Sequence, residues 1–302
     1  MDITWHIKHL SANQMIAISL ILPLLSAGVL IVRNVTTGTF VPLSSDFKPG
    51  TLIRVQGLDN KPVASVVGQN LSGFLNTDVS VTITFDNSLI TGKYGFDAEV
   101  GIVIPDNQDN SITQFISTQF QGAKSQILVR GSAITTIFSH QAIEAIIGAF
   151  IGMTVVLFIA FRHTTAVGVM VLCVAFDALG ALGGMALFQV PLSFGSVAAL
   201  LMIIGYSVDT DIILSNHMLK RVGGDVRERA ANGMITGVMT QGTTVVALIT
   251  IDVLTSAPLL FELATVLIFG IIADTFNTWF LNVGVLLRNI EKKQGREYYV
   301  SD

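Results

Sequence analysis

Six runs of about 20 or more predominantly apolar residues dominate the chain, at about 13–32, 141–161, 165–188, 193–216, 232–255 and 259–287. A helix of about 20 residues crosses roughly 30 Å of hydrocarbon, where an unpaired backbone amide or carbonyl costs several kcal/mol. Runs of this length are therefore expected as membrane helices. Composition agrees: 13% of the 302 residues are charged, with a mean hydropathy of +0.67, against roughly 25% charged in soluble domains. The first run is longer than the apolar region of a secretory signal and lacks a small-residue cleavage site, so it is expected as a retained anchor.

Basic residues of short loops stay on the cytoplasmic side. Lys8 precedes the first run, Arg162 lies between the second and third, Lys220, Arg221, Arg227 and Arg229 follow the fourth, and Arg288, Lys292, Lys293 and Arg296 follow the sixth. The opposite short loops, Gln189 to Leu192 and Thr255 to Pro258, carry none. A multi-pass protein of the cell membrane follows, with a cytoplasmic N-terminus (1–12), a first helix (13–32), an extracytoplasmic domain (33–139), a five-helix remainder (140–287) and a cytoplasmic tail (288–302). No basic block suggests nucleic acid as a partner. Cys173, the lone cysteine, excludes a disulfide framework and a Cys-based zinc site.

The segment 33–139 is rich in Ser, Thr, Asn, Gln and Asp. Thr51–Gln56 and Val79–Phe85 alternate with period two and read as strands. A helix after Pro62 carries Leu71, Phe74 and Leu75, and further elements are expected as a strand at Glu99–Ile104, a helix at about Ser111–Gly122 and a strand at Gln126–Arg130. This β-α-β, β-α-β order predicts a small ferredoxin-like α+β sandwich. It holds no metal-ligand cluster, phosphate loop or G-x-S-x-G, so no cofactor is expected and its work, beyond that of a spacer, is protein contact.

Six acids lie inside the third to sixth runs: Asp177, Asp209, Asp211, Asp252, Glu262 and Asp274. Near the bilayer centre each costs about 2.5–3.5 kcal/mol on insertion scales. Asp252 and Glu262 sit near the outer surface, where they can snorkel and cap the turn at Pro258, whereas Asp177 and Asp274 sit near mid-span with Asp209 about a turn away. At 100° per residue Asp209 and Asp211 point about 200° apart, and Asp209 shares a face with Gly205. The fifth run is small and polar around Gly237, Thr240, Gln241, Gly242, Thr243 and Thr244, suited to close packing. No Lys or Arg occurs inside a run. A carboxyl in hydrocarbon without a cation favours its neutral, proton-carrying form. Two roles stay open: interhelical hydrogen bonding, or a proton relay.

Four motifs then stand in register. Asp46-Phe-Lys-Pro-Gly-Thr51 resembles D-F-x-G-G-T, with Pro49 for the first Gly; Phe176-Asp177-Ala178 resembles H-D-V; Gly205-Tyr-Ser-Val-Asp-Thr-Asp211, followed by Lys220-Arg221, resembles G-Y-S-x-N-D and its basic stretch; Asp274-Thr-Phe-Asn-Thr278 resembles G-T-Y-S-S. On these motifs the chain resembles the SecF members of the SecD/SecF family of protein-export membrane proteins over nearly its whole length. The resemblance implies six membrane helices arranged as half of a resistance-nodulation-division transporter and no enzymatic activity. It further implies a SecD-like six-span partner, and work at the Sec translocon channel on unfolded preproteins late in translocation, coupled to proton motive force in bacterial members. The motif residues Asp46, Phe47, Gly50, Thr51, Gly205, Tyr206 and Ser207 are carried over with it.

This chain departs from the pattern at Thr210, where the family acid stands and where Asp209 and Asp211 flank the position. Asp209 matches the fourth-span acid of SecD and is the first candidate for a proton path, with Asp211, Asp177, Asp274 and Thr240 beside it. Thr236 occupies the position of the bacterial fifth-span Arg, and the divergent pattern resembles archaeal members. A small-molecule or lipid exporter of the same superfamily is the alternative, disfavoured by the single six-span unit. An intramembrane aspartyl protease is disfavoured because Gly205-Tyr-Ser-Val-Asp209 has the wrong spacing for G-x-G-D.

Overall fold

The computed structural model describes residues 4–47, 50–86, 93–104, 109–120, 122–130, 132–161, 164–220, 225–255 and 257–300. Pro49, Arg162 and Arg221, named above, lie outside the described residues. Among those described, six helical stretches are long and apolar enough to cross a membrane: Ala12–Thr37, His140–Phe161, Thr164–Phe188, Phe194–Lys220, Val226–Leu254 and Leu259–Lys292.

A short helix α1 (Trp5–His9) precedes a first span built from two pieces, α2 (Ala12–Ser19) and α3 (Ile21–Thr37). Pro23 explains the break, because it has no N–H to offer the carbonyl four residues back. Ser11 and Gln14 close a reciprocal cap at the start of α2. The later spans are α6 (Ser132–Phe161), α7 (Thr164–Phe188), α8 (Phe194–Ser215), α9 (Val226–Leu254) and α10 (Pro258–Phe276), and α10 runs on into α11 (Val283–Val300). Two wider π-helical turns interrupt them, Asn216–Lys220 after α8 and Asn277–Asn282 between α10 and α11. Both α6 and α11 extend past the expected boundaries at 140 and 287. Apolar length measures the hydrocarbon crossed, and a nucleated helix continues into polar sequence at little cost.

Between α3 and α6 lie β1 (Gly50–Leu58), α4 (Ala64–Leu75), β2 (Val79–Asp86), β3 (Lys93–Val100), α5 (Asp109–Gln119) and β4 (Lys124–Arg130). The sheet is antiparallel in the order β2-β3-β1-β4. Its third strand is Lys93–Val100 rather than the expected Glu99–Ile104. Phe96, Ala98 and Val100 point into the core between polar neighbours, whereas Ile102 and Val103, apolar but past Gly101, are exposed. Ile53, Val55, Val67, Leu71, Ile112 and Ile116 complete that core under the two helices. Gly50 is required where it stands, because a Cβ there would collide with the Val100 carbonyl.

Segment 41–47 is stitched to the α7–α8 connection. The Leu192 N–H donates to Pro42 O (2.7 Å), the Ser44 N–H to Leu192 O (2.9 Å), and the Phe194 N–H to Asp46 Oδ2 (3.2 Å). Asp46 thus sits at the N-terminus of α8, where the helix dipole favours an anion, and Phe47 packs on Phe194. Asp46 and Phe47 of the motif thus tie the segment before β1 to α8.

Candidate functional site

Three carboxyls are buried where α7, α8 and α10 meet: Asp177 and Asp211 at 0% exposure and Asp274 at 3%. Small residues bring these helices together. Gly180 faces Ala273, Gly270 faces Ile203, and a Cβ at either would collide with its neighbour.

Every donor to these acids is neutral. Asp177 Oδ2 accepts from Ser207 Oγ and its Oδ1 from Asn277 Nδ2, both at 2.6 Å. Asp274 Oδ2 accepts from Gln241 Nε2 (2.5 Å). Thr275 Oγ1 lies 3.0 Å from Gln241 Oε1 and 2.8 Å from the Ile271 carbonyl of its own helix. Asp211 Oδ1 accepts from Asn282 Nδ2 (2.7 Å). Thr278 Oγ1 lies between two acids, 2.9 Å from Asp274 Oδ1 and 3.0 Å from Asp211 Oδ1. Asn277, Thr278 and Asn282 all belong to the π-helical turn after α10, and all three are fully buried. The Asp211 Oδ2, Asn277 Oδ1, Asn282 Oδ1 and Ser215 Oγ atoms are buried without a protein partner.

Asp209 lies elsewhere. It is exposed on α8, on one face with Met202, Gly205 and Tyr206, and nothing stands within 4 Å of a Cβ placed on Gly205. On α9 beside it Thr236, Met239, Thr240 and Thr243 are exposed, and the Thr240 hydroxyl returns to the Thr236 carbonyl of its own helix (3.0 Å). Of the proton-path candidates, the fold gathers Asp177, Asp211 and Asp274 and leaves Asp209 and Thr240 outside the cluster. Of the motif residues, Ser207 joins it while Tyr206 and Gly205 face outward. Gln241, Thr275, Asn277, Thr278 and Asn282 complete the cluster without having been singled out as site residues. Their signal was present as amides and hydroxyls inside an apolar run, but the π turn that aims three of them inward has no sequence signature.

Asp252 and Glu262 lie at the sheet end of the bundle. They line a cavity of about 1090 Å³ under the open face of the sheet, together with Asp46, Asp97 and Glu99. Asp252 accepts from Thr265 Oγ1 (3.1 Å), and the turn before Pro258 is held by Thr255 Oγ1, which accepts from the Ala257 N–H. Across β1 and β3, Arg54 donates twice to Asp97 (2.9 and 2.8 Å). The charge-assisted pair holds the Arg54 guanidinium above its ordinary pKa. Among the described residues no group of His, Cys, Asp and Glu is arranged to hold a metal ion.

Residues 110–292 match the model of the family described as "Protein export membrane protein SecD/SecF, C-terminal". The chain is similar to the protein-export membrane protein SecF of Pyrococcus furiosus, 33% identical over 282 residues and 92% of both chains. It is similar to the SecF of Methanolacinia petrolearia, 30% identical over 96% of this chain and 98% of that one. Among solved structures it resembles SecDF of Thermus thermophilus, a translocon-associated membrane protein, with a TM-score of 0.71 at 21% identity over 93% of this chain. It also resembles SecDF in its super-membrane-facing form, with a TM-score of 0.56 at 19% identity. The chain spans 38% and 39% of those two structures, and their likeness establishes a SecDF-like fold.

Proposed function

The chain belongs to the SecD/SecF family of protein-export membrane proteins, and from that premise we propose that it is the SecF-type half of a two-part export accessory, with the buried acids as its proton path. In this reading it works beside the Sec translocon on late, unfolded preprotein. Its termini are cytoplasmic and its sheet domain, ferredoxin-like by the order β2-β3-β1-β4, is extracytoplasmic. A SecD-like protein covers the face of Asp209.

Magnitudes favour a role beyond holding helices. An intramembrane acid costs about 2.5–3.5 kcal/mol, whereas an interhelical hydrogen bond averages about 0.6 kcal/mol and reaches about 1.7. Asp274 and Asp211 return little of that cost as helix glue. Asp209, exposed at membrane depth, returns none within this chain, which supports a partner on that face. The observation that carries the reading is the contact of three buried carboxyls with exchangeable hydroxyls and, among the described residues, with no cation. Proton motive force of 100 mV supplies about 2.3 kcal/mol per proton, enough to bias a two-state element about fiftyfold.

The test is export in native membranes by chains carrying Asp274→Asn or Asp211→Asn. Each is expected to reduce late translocation tenfold or more while the protein still accumulates and co-purifies with its six-span partner. Normal export by both variants would remove the proton path; failure ever to recover such a partner would remove the two-part reading.

A further inference from the structure

Resting on the proton-path reading, we propose that the Thr278 hydroxyl is the relay through which one proton, shared by Asp274 and Asp211, passes between α10 and α8. The argument is a count of hydrogens. Asp177 meets two donors, each with a hydrogen to give: the Ser207 hydroxyl and the Asn277 amide. Either protonation state of Asp177 satisfies that geometry. Thr278 is different, because its single hydroxyl hydrogen faces two carboxyl oxygens, at 2.9 and 3.0 Å. It can donate to one of them only. The other contact is a hydrogen bond if that carboxyl is protonated and donates to Oγ1, and otherwise a repulsive approach of two lone pairs in a dry interior.

The neighbours set the direction at rest. Asp211 Oδ1 already accepts from the Asn282 amide (2.7 Å), an arrangement suited to a carboxylate. Asp274 presents Oδ2 to Gln241 Nε2 and leaves Oδ1 to carry the hydrogen. The resting line is Asp274 Oδ1–H to Thr278 Oγ1–H to Asp211 Oδ1. Transfer moves two hydrogens together: the Asp274 O–H bond breaks as Thr278 Oγ1 gains that hydrogen, and the original Thr278 hydrogen passes to Asp211 Oδ1. One proton has crossed, the hydroxyl is regenerated, and the negative charge has moved from Asp211 to Asp274. Asp211 Oδ2 and, four residues on, Ser215 Oγ are buried without a partner among the described residues.

Thr278→Ser keeps the hydroxyl and Thr278→Val keeps the shape without it. Export by the Ser variant is expected within about twofold of wild type, and by the Val variant at least tenfold lower, within the range that a positioned proton-transfer group contributes. Equal impairment of both would overturn the relay in favour of packing. If Val exports normally while Asp274→Asn and Asp211→Asn fail, the path stands and the relay falls; if the Asn variants export normally, the reading beneath it falls. A second measurement reads the wild-type protein first. Solid-state ¹³C spectra of aspartate-labelled wild-type protein in its complex should contain a protonated carboxyl that Asp274→Asn removes. Spectra in which all buried aspartates are ionised would overturn the proposal.

Discussion

Asp97 and Asp274 are both carboxylic acids on regular structure, each held by side-chain donors, yet the two regions that hold them solve the same problem differently. In the sheet domain the acid meets a guanidinium that donates to both its oxygens. In the bundle it meets an amide and a hydroxyl, with no Lys or Arg paired to it among the described residues. Water reaches the first pair, whose side chains are 34% and 13% exposed, so a permanent charge pair is tolerable there and fixes the strand register. In the bundle, neutral donors do not favour the ionised acid as a guanidinium would. The sheet acid is a fastener, and the bundle acids are proposed as a changeable charge.

The largest break in that comparison is expected at Asp177. Asp177→Leu strands two buried donors, Ser207 and Asn277, at about 1–3 kcal/mol each. A marked fall in thermal midpoint and in membrane accumulation should follow, with Asp177→Asn much milder. Similar midpoints for Leu and Asn would mean that the donors find other partners. Gly50→Ala comes next. Its Cβ meets the Val100 carbonyl and must spread β1 from β3, for about 1–3 kcal/mol, measured as lost hydrogen-exchange protection confined to the sheet domain. Arg54→Ala should cost only about 1 kcal/mol, since the pair is partly solvated, and salt should shrink the difference from wild type. A salt-independent loss would place that pair with the buried acids instead.

Much of this contrast was legible in the sequence. The six spans follow from apolar length, and Asp177 and Asp274 stand out by depth alone. The order of strands and helices in the sheet domain follows from period-two and period-3.6 patterns, with β3 displaced because the apolar Ile102 and Val103 mimic a strand beyond Gly101. Contacts between distant spans were not legible. Thr278 was visible only as the last letter of a motif, because a hydroxyl between two acids depends on how α10 unwinds into a π turn and docks on α8. Nor can periodicity say which of two acids 200° apart faces the bundle.

That last ambiguity supplies the smallest expected effect in the isolated chain. Motif matching ranks Asp209 ahead of Asp211, whereas burial reverses the order in which the two are proposed for the intrachain path: Asp211 is enclosed and Asp209 faces outward beside Gly205 and Tyr206. Asp209→Leu removes no hydrogen bond of this chain and takes a carboxyl off a lipid-depth surface, so the purified protein should be as stable as wild type or more so. In the complex the sign should turn. If a six-span partner presents donors to that face, Leu strands them, and recovery of the partner should fall severalfold while Asp209→Asn, which can still hydrogen-bond, retains most of it. Undiminished recovery with Leu would put the partner on another face, leaving Asp209 as an acid that neither the bundle nor its neighbour uses.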